Sequence, residues 1–350
     1  YSDAIVDAIN NLDLPRYGLG NYINPKATIN PTKEEKLVID NLSRAGKRLM
    51  GFCRTNLFKR LESSGYSFLL SLSRHILRNF VFVYAAENNL PIPIGKNIIE
   101  NLDDFVEDND TDGDGEDNSI SFILNEEEYL KRAKQAYELF TGQYKKRFEW
   151  IRSDLFITDL KKSLISDGRE IIKILSIAKE WNPDDDRQLN ALFKLINETH
   201  KTEKMLVFTQ FADTAGYLCE QLKNKKRGVK SIECVTGDCD NPTDYAHRFS
   251  PDSNEMLSIK GTEKELRVLI TTDVLSEGQN LQDGHIIVNY DLPWAIIRLI
   301  QRAGRVDRIG QKSDKILCYS FIPEDGVEKI IKLRSRLKER IKQNAEVVGS

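Results

Sequence analysis

Leu266–Gln311 reads LRVLITTDVLSEGQNLQDGHIIVNYDLPWAIIRLIQRAGRVDRIGQ. Within it, Val268–Ile270 is a short apolar run stopped by Thr271, Thr272 and Asp273. Ile286–Tyr290 is a second such run, stopped by Asp291 and Pro293. Apolar runs of this length with turn residues after them suit buried parallel strands. Val274–Gly284 between them has room for a turn of helix and a loop, with Gly278 where that loop must approach something closely. After Pro293, the residues Ile296, Leu299, Ile300, Ala303 and Val306 recur at helical spacing and predict one apolar stripe. Gln301, Arg305 and Arg308 fall at i, i+4 and i+7 and predict a second stripe. Arg302 lies between the stripes, and its replacement by alanine is expected to cost far less than loss of Arg305 or Arg308. Gly304 lowers helix stability by roughly 1 kcal/mol against alanine, and its missing side chain permits close approach.

A guanidinium presents a planar fork of donors that suits phosphate oxygens, so two on one stripe can hold a polyphosphate. An arbitrary pair of arginines three apart is more often a solvated basic helix surface. Here the surrounding residues favour the phosphate reading. The segment resembles motifs V and VI of superfamily 2 helicases, and QRAGRVDRIGQ (residues 301–311) is similar to the Swi/Snf-type form of motif VI. That resemblance implies a RecA-like lobe of bacterial type. In it, Arg305 and Arg308, with Gln301, would reach ATP bound on a partner lobe and stabilise charge on the transferring phosphoryl group. It also implies that Glu277, Gly278 and Asn280 approach the nucleotide, and that Thr272 touches a nucleic-acid phosphate. Asn280 stands where many helicases carry Asp, so it would accept a ribose hydroxyl bond without charge.

Upstream, Met205–Phe208 reads as a strand, Asp213–Lys223 as a helix and Ser231–Val235 as a strand. This alternation implies a parallel sheet. VFTQF resembles motif IV, which makes Thr209 and Gln210 candidates for the nucleic-acid backbone, with strand-end capping as the alternative. VTGD and HRFSP resemble the segment between motifs IV and V. Lys315–Phe321 predicts a last strand and Val327–Ile341 a charged closing helix. The resemblance covers about 204–331, within a lobe placed at 200–350.

Residues 32–199 read as mainly helical, with no sign of a sheet. Residues 1–31 read as an irregular lead-in with a short helix at Asp3–Leu12. Thr32 and Glu35 fit a capping box. RTNLFKRLESS (residues 54–64) resembles a basic helix of bacterial Swi/Snf-like enzymes. It makes Arg54, Lys59 and Arg60 candidates to touch DNA or brace the lobes, with an ordinary amphipathic surface as the alternative. Glu126–Ile151 predicts one long charged helix. Leu155–Trp181 predicts two helices broken near Asp167-Gly168. Pro183 and Asp184–Asp186 mark a stop and a new start. The expected fold class is therefore α/β: a RecA-like parallel sheet flanked by helices, preceded by a mainly α-helical region.

Composition narrows the function classes. The chain has 350 residues, 40% of them apolar and 30% charged, enough for two domains with a real core. No run long and apolar enough to span a bilayer occurs and no signal-peptide pattern is visible. The first residue is Tyr1 rather than Met, which points to a piece of a longer protein. The net charge of −3 includes 13 acidic residues without a Lys or Arg across Glu100–Glu128, so the remainder is basic. A basic remainder is compatible with nucleic-acid binding. Within that acidic loop, Asp108, Asp110, Asp112 and Gly113 imitate the start of an EF-hand, but Gly115 and Ser119 occupy positions where an apolar residue and a Glu belong. Five cysteines without a CxxC pair suit reduced thiols and a cytoplasmic location. Cys234, Cys239 and His247 fit no zinc spacing, so no metal site is expected.

Neither a GxxxxGK[ST] loop nor a DExx motif occurs; Asn41 and Arg48 break the one approximate match at Gly46-Lys47. By resemblance, a first lobe of the same protein would hold most of the ATP and magnesium. This chain would be the C-terminal half of an ATP-driven double-stranded DNA translocase and would not turn over alone. The rival readings are a strand-separating DNA or RNA helicase lobe, a non-catalytic scaffold derived from one, and a Rossmann enzyme. The last would need a GxGxxG after a first strand, and none is present.

Overall fold

A computed structural model describes residues 3–25, 31–95, 125–178, 181–276, 279–293 and 295–322. The acidic loop, Glu277, Gly278 and the expected closing helix fall largely or wholly outside them. The chain forms two compact units, Tyr1–Lys59 with Phe68–Trp181, and Arg60–Ser67 with Asn182–Ser350.

The first unit is built from α1 (Asp3–Asn11), α2 (Lys33–Ser63), α3 (Gly65–Glu87), β1 (Ile92–Gly95), α4 (Glu126–Thr141), β2 (Phe148–Ile151) and α5 (Thr158–Ala178). The last turn of α2 belongs to the second unit. The capping box forms as the sequence predicts: Thr32 N–H donates to Glu35 Oε2 at 2.8 Å, and Glu35 N–H donates to Thr32 Oγ1 at 3.2 Å.

The reading of this region is corrected at two places. A two-stranded antiparallel sheet is present, pairing Ile92 with Ile151 and Gly95 with Phe148. The helix expected over Glu126–Ile151 stops at Thr141, because Gly142 caps it through a bond to Glu138 O. The aromatic Phe148-Glu149-Trp150 run then pairs with Ile92–Gly95, whose isoleucines are buried. The second correction concerns α5, which runs unbroken through Gly168. A Cβ on Gly168 would sit 3.2 Å from the Phe80 ring, so the glycine is there for close packing and ends nothing.

Beside Gly168, the Asp167 carboxylate is buried and accepts from the backbone N–H of Asp13 at 2.9 Å and Leu14 at 2.7 Å. Arg16 is buried as well. Its Nε donates to Asn79 Oδ1 at 2.8 Å and its Nη2 to His75 Nδ1 at 3.1 Å, so the imidazole accepts there.

The second unit adds α6 (Arg187–Lys194), β3 (Met205–Phe208), α7 (Ala212–Lys223), β4 (Ile232–Val235), α8 (Pro242–Phe249), β5 (Val268–Thr271), β6 (Ile286–Asn289), α9 (Ile296–Ala303) and β7 (Leu317–Ser320). Its five strands are all parallel, in the order β4-β5-β3-β6-β7. This is the helix-flanked parallel sheet expected from the apolar runs and the strand-helix-strand alternation. The three inner strands are buried at every residue, which explains their continuous apolar sequences. Phe208 lies level with Thr271 and Asn289. The residues that follow these strands therefore gather along one carboxyl edge, where open α/β sheets place their ligand-binding loops.

Burial pushes the Asp167 carboxyl up to about 6, against the two backbone donors that favour its ionised form. A raised folded value means the native state favours the proton. The stabilisation is complete below the ordinary value near 4 and is lost as pH rises through about 6. The expected size is about 2–3 kcal/mol. Urea unfolding between pH 4 and 7.5 should show this slope in the native chain and a flatter one in Asp167→Asn. Equal slopes would mean that Asp167 does not titrate in this window.

Candidate nucleotide- and nucleic-acid-binding edge

The carboxyl edge is organised by two buried charged groups. Asp291, just after β6, is 2% exposed. Its Oδ2 accepts from Ser63 Oγ at 2.6 Å and Thr209 Oγ1 at 2.5 Å, and its Oδ1 from Gln210 N–H at 2.8 Å. Burial pushes this carboxyl upward, while the Arg302 charge and the three donors pull against it. The Ser63 proton is committed to Asp291, so the 2.9 Å contact between Ser63 and Thr214 has Thr214 as donor. Ser67 in turn donates to Thr214 at 2.9 Å. A relay of hydroxyls thus joins the Arg60–Ser67 segment to the ends of β3 and β6.

Arg302 is the second group. It is fully buried, where the sequence spacing placed it between stripes as the less costly position to replace. Its Nε donates to Asp273 Oδ1 at 2.7 Å and its Nη1 to Asn289 Oδ1 at 3.0 Å, with the guanidinium over the Phe208 ring. One turn earlier, Arg298 Nη1 reaches Asp273 Oδ2 at 3.1 Å. Helix α9 therefore presents Arg298 and Arg302 to the turn after β5, and Ile300 is 54% exposed. Of the expected apolar stripe, Val306 is in the core and Ala303 packs against it, whereas Ile300 faces out because the ion pair sets the rotation of this short helix.

The expected arginine stripe is corrected too. Helix α9 ends at Ala303, capped at Gly304, so only Gln301 lies on it, exposed. Arg305 and Arg308 sit in the turns that follow. The structure still brings Arg308 to the motif V loop: its Nη1 donates to Gln279 O at 3.1 Å and to Asn280 Oδ1 at 2.9 Å. Arg305 is half-buried. Gln311 fastens the loop, its Nε2 lying 2.9–3.0 Å from the carbonyls of Gln282, Gly284 and Val306. Gly310 before it has φ +99, a conformation that favours glycine.

Other candidates divide between edge and scaffold. Thr272 ends β5 at this edge, nearly buried, with its N–H on Val235 O. Thr209 is fully buried and its hydroxyl holds Asp291, so it is not available to a phosphate. Gln210 Nε2 donates to Leu292 O at 3.0 Å. Capping is what both residues do here. Arg54, in the first unit, caps the end of α1 through bonds to Ile9 O and Leu12 O. Arg60 is fully buried against Asp213 at 2.7 Å and over the Phe211 ring. Both side chains are engaged by protein acceptors here, and Arg60 braces the second unit. Lys59 is half-buried on α2. Sequence reasoning missed Ser63, Asp273, Asn289, Asp291, Arg302 and Gln311. Only the charge of Arg302, amid an otherwise apolar pattern, was a signal.

Residues 187–310 match the model of the helicase conserved C-terminal domain. The chain is 33% identical over 148 residues to the uncharacterized ATP-dependent helicase YqhH of Bacillus subtilis, covering 42% of this chain and 23% of that protein. It is 28% identical to the ATP-dependent RNA helicase DBP8 of Debaryomyces hansenii, over 39% of this chain and 27% of that protein. It is 33% identical to the RNA polymerase-associated protein RapA of Vibrio cholerae, over 40% of this chain and 13% of that protein. The chain thus spans about a quarter or less of these relatives. The similarity to helicases rests on residues 187–310 and is to a helicase C-terminal domain.

Removing the Arg302 side chain leaves Asn289 Oδ1 without this donor and Asp273 with Arg298 alone, and breaking a buried charged pair costs about 3–5 kcal/mol. Arg302→Ala should therefore destabilise the chain by this amount in urea unfolding, whereas Gln301→Ala on the exposed face should stay within about 0.5 kcal/mol. Equal effects would show that α9 is not held through Arg302.

Proposed function

We propose that the second unit is the C-terminal lobe of a Swi/Snf-like ATPase that translocates on double-stranded DNA. The observation that carries this reading is the placement of Arg308 beside Asn280 at the carboxyl edge, within QRAGRVDRIGQ. A first lobe would hold most of the ATP and its magnesium, which supply the phosphoryl group and its charge neutralisation. Arg308 would exchange two uncharged acceptors, Gln279 O and the Asn280 amide, for phosphate oxygens when the lobes close. Arg305 would join it from the same turn, with the exposed Gln301 beside them. Asn280, released from Arg308, would accept a ribose hydroxyl. Thr272 would meet a nucleic-acid phosphate. Glu277 and Gly278 complete the proposed nucleotide loop. Contacts of this kind grip a backbone without reading sequence.

A strand-separating or RNA-directed helicase is the second reading, favoured by the similarity to a protein described as an RNA helicase. The two differ in output. Triplex displacement without duplex opening supports the translocase, whereas strand separation or RNA-selective stimulation supports the alternative.

In the protein carrying both lobes, Arg308→Ala should lower nucleic-acid-stimulated turnover by roughly 10³–10⁵-fold, about 4–7 kcal/mol of barrier. ATP affinity should change far less. Arg308→Lys should rescue poorly, because an ammonium keeps the charge without the planar fork. Near-native turnover of Arg308→Ala would sink the assigned role. The 350-residue chain alone should release no phosphate from ATP above background, and it should bind duplex DNA weakly, with a shallow dependence on salt.

A further inference from the structure

Asn280 is held at two places, and only one of them takes part in the proposed arginine exchange. Its side-chain Oδ1 accepts from Arg308 Nη1 at 2.9 Å. Its backbone carbonyl accepts instead from Asn254 Nδ2 at 2.9 Å, and the same nitrogen donates to Ser250 O at 2.7 Å. A guanidinium only donates and a backbone carbonyl only accepts, so these partners fix the orientation of both side-chain amides. Both N–H groups of the Asn254 amide are thereby used on backbone carbonyls.

Asn254 ends the stretch HRFSPDSN (residues 247–254), and a tight turn after α8 delivers it. Met256 N–H donates to Pro251 O at 2.8 Å and Glu255 N–H to Asp252 O at 3.3 Å. This pair of bonds closes a turn on a left-handed residue, a place where glycine is usual. Here that residue is Glu255, at φ +58. A conformation of this kind persists only where the surroundings over-determine it. Asp283, in the loop that carries Asn280, does so. Its carboxylate accepts from Asp252 N–H at 2.8 Å, Ser253 N–H at 3.0 Å and the Ser253 hydroxyl. Lys312, beside Gln311, adds a bond to Asp252 Oδ2 at 2.8 Å. The strained turn is therefore tied to the loops on both sides of the Arg308–Asn280 contact.

We propose that Asn254 is a positioning residue for the nucleotide. It fixes the Asn280 backbone so that Asn280 Oδ1 stays aimed at a ribose hydroxyl when Arg308 moves to phosphate, a role that rests on the proposed ribose contact of Asn280. The Asn254 bond does not involve Arg308 and so persists through that exchange. A ribose contact is made in the ground state and the transition state alike. Its loss therefore raises KM and spares kcat, the opposite of the effect expected for Arg308.

The test measures steady-state turnover in the protein carrying both lobes, with saturating nucleic acid, on ATP and on 2′,3′-dideoxy-ATP. Asn254→Ala should raise KM for ATP by roughly 2–10-fold, the size of one hydrogen bond, with kcat within about twofold. On dideoxy-ATP, which offers no ribose hydroxyl, the native protein and Asn254→Ala should share one KM. Asn280→Ala should show the same pattern. Asn254→Asp keeps the size of the side chain and cannot donate, so it should reproduce the rise for ATP even if the alanine variant fails to fold. An equal rise of KM on both nucleotides would show a merely structural role and overturn the proposal. An unchanged KM for ATP in Asn254→Ala and Asn254→Asp, beside a raised one in Asn280→Ala, would overturn it while leaving the ribose contact standing. A native protein that uses both nucleotides equally would remove the ribose contact itself, and the proposal with it.

Discussion

A carboxyl group in a protein interior must be given hydrogen-bond partners, and Asp291 is the point where this requirement shapes the second unit. It stands at the end of β6, fully enclosed, and takes three bonds from two distant parts of the chain, Ser63 and the Thr209-Gln210 pair. Water could serve it equally well only if the edge of the sheet opened. The segment containing Ser63 is therefore drawn onto the β3 and β6 ends, although about 150 to 230 residues separate the partners in sequence. Each hydroxyl in the relay passes its proton toward the carboxylate, which gives the network one direction and one geometry.

Arg302 applies the same constraint to α9. A buried guanidinium has to find acceptors, and Asp273 and Asn289 lie on elements that precede the helix in the chain. The charge is thereby used to fix the helix against the turn that follows β5. Because α9 ends one residue later, the chain beyond it turns back and carries Arg308 to Asn280. The buried arginine sets the position from which the exposed one works. Gln311 closes this arrangement by bonding the loop carbonyls on both sides.

In the first unit the polar groups are internal fastenings. Arg54 satisfies carbonyls at the end of α1, and Asp167 satisfies the N–H groups just beyond it. A basic residue on a helix looks alike in sequence whether it will meet a phosphate or a neighbouring helix end. Arg54 and Arg60 were both candidates for DNA contact, and each has a protein acceptor within hydrogen-bond distance.

The sequence by itself determined the strands of the second unit and the capping box at Thr32 and Glu35. These features rest on local patterns: continuous apolar runs and a short capping motif. What only the tertiary structure decided is the rotation of α9, the burial of Arg302, the hairpin of β1 and β2, and the continuity of α5 through Gly168. Each depends on a partner distant in sequence: Asp273 and Phe208 for Arg302, Ile92 for Ile151, Phe80 for Gly168. Periodicity reports which faces differ in polarity. It cannot report that a charged face will be buried, because the acceptor that makes the burial favourable is not part of the periodic segment.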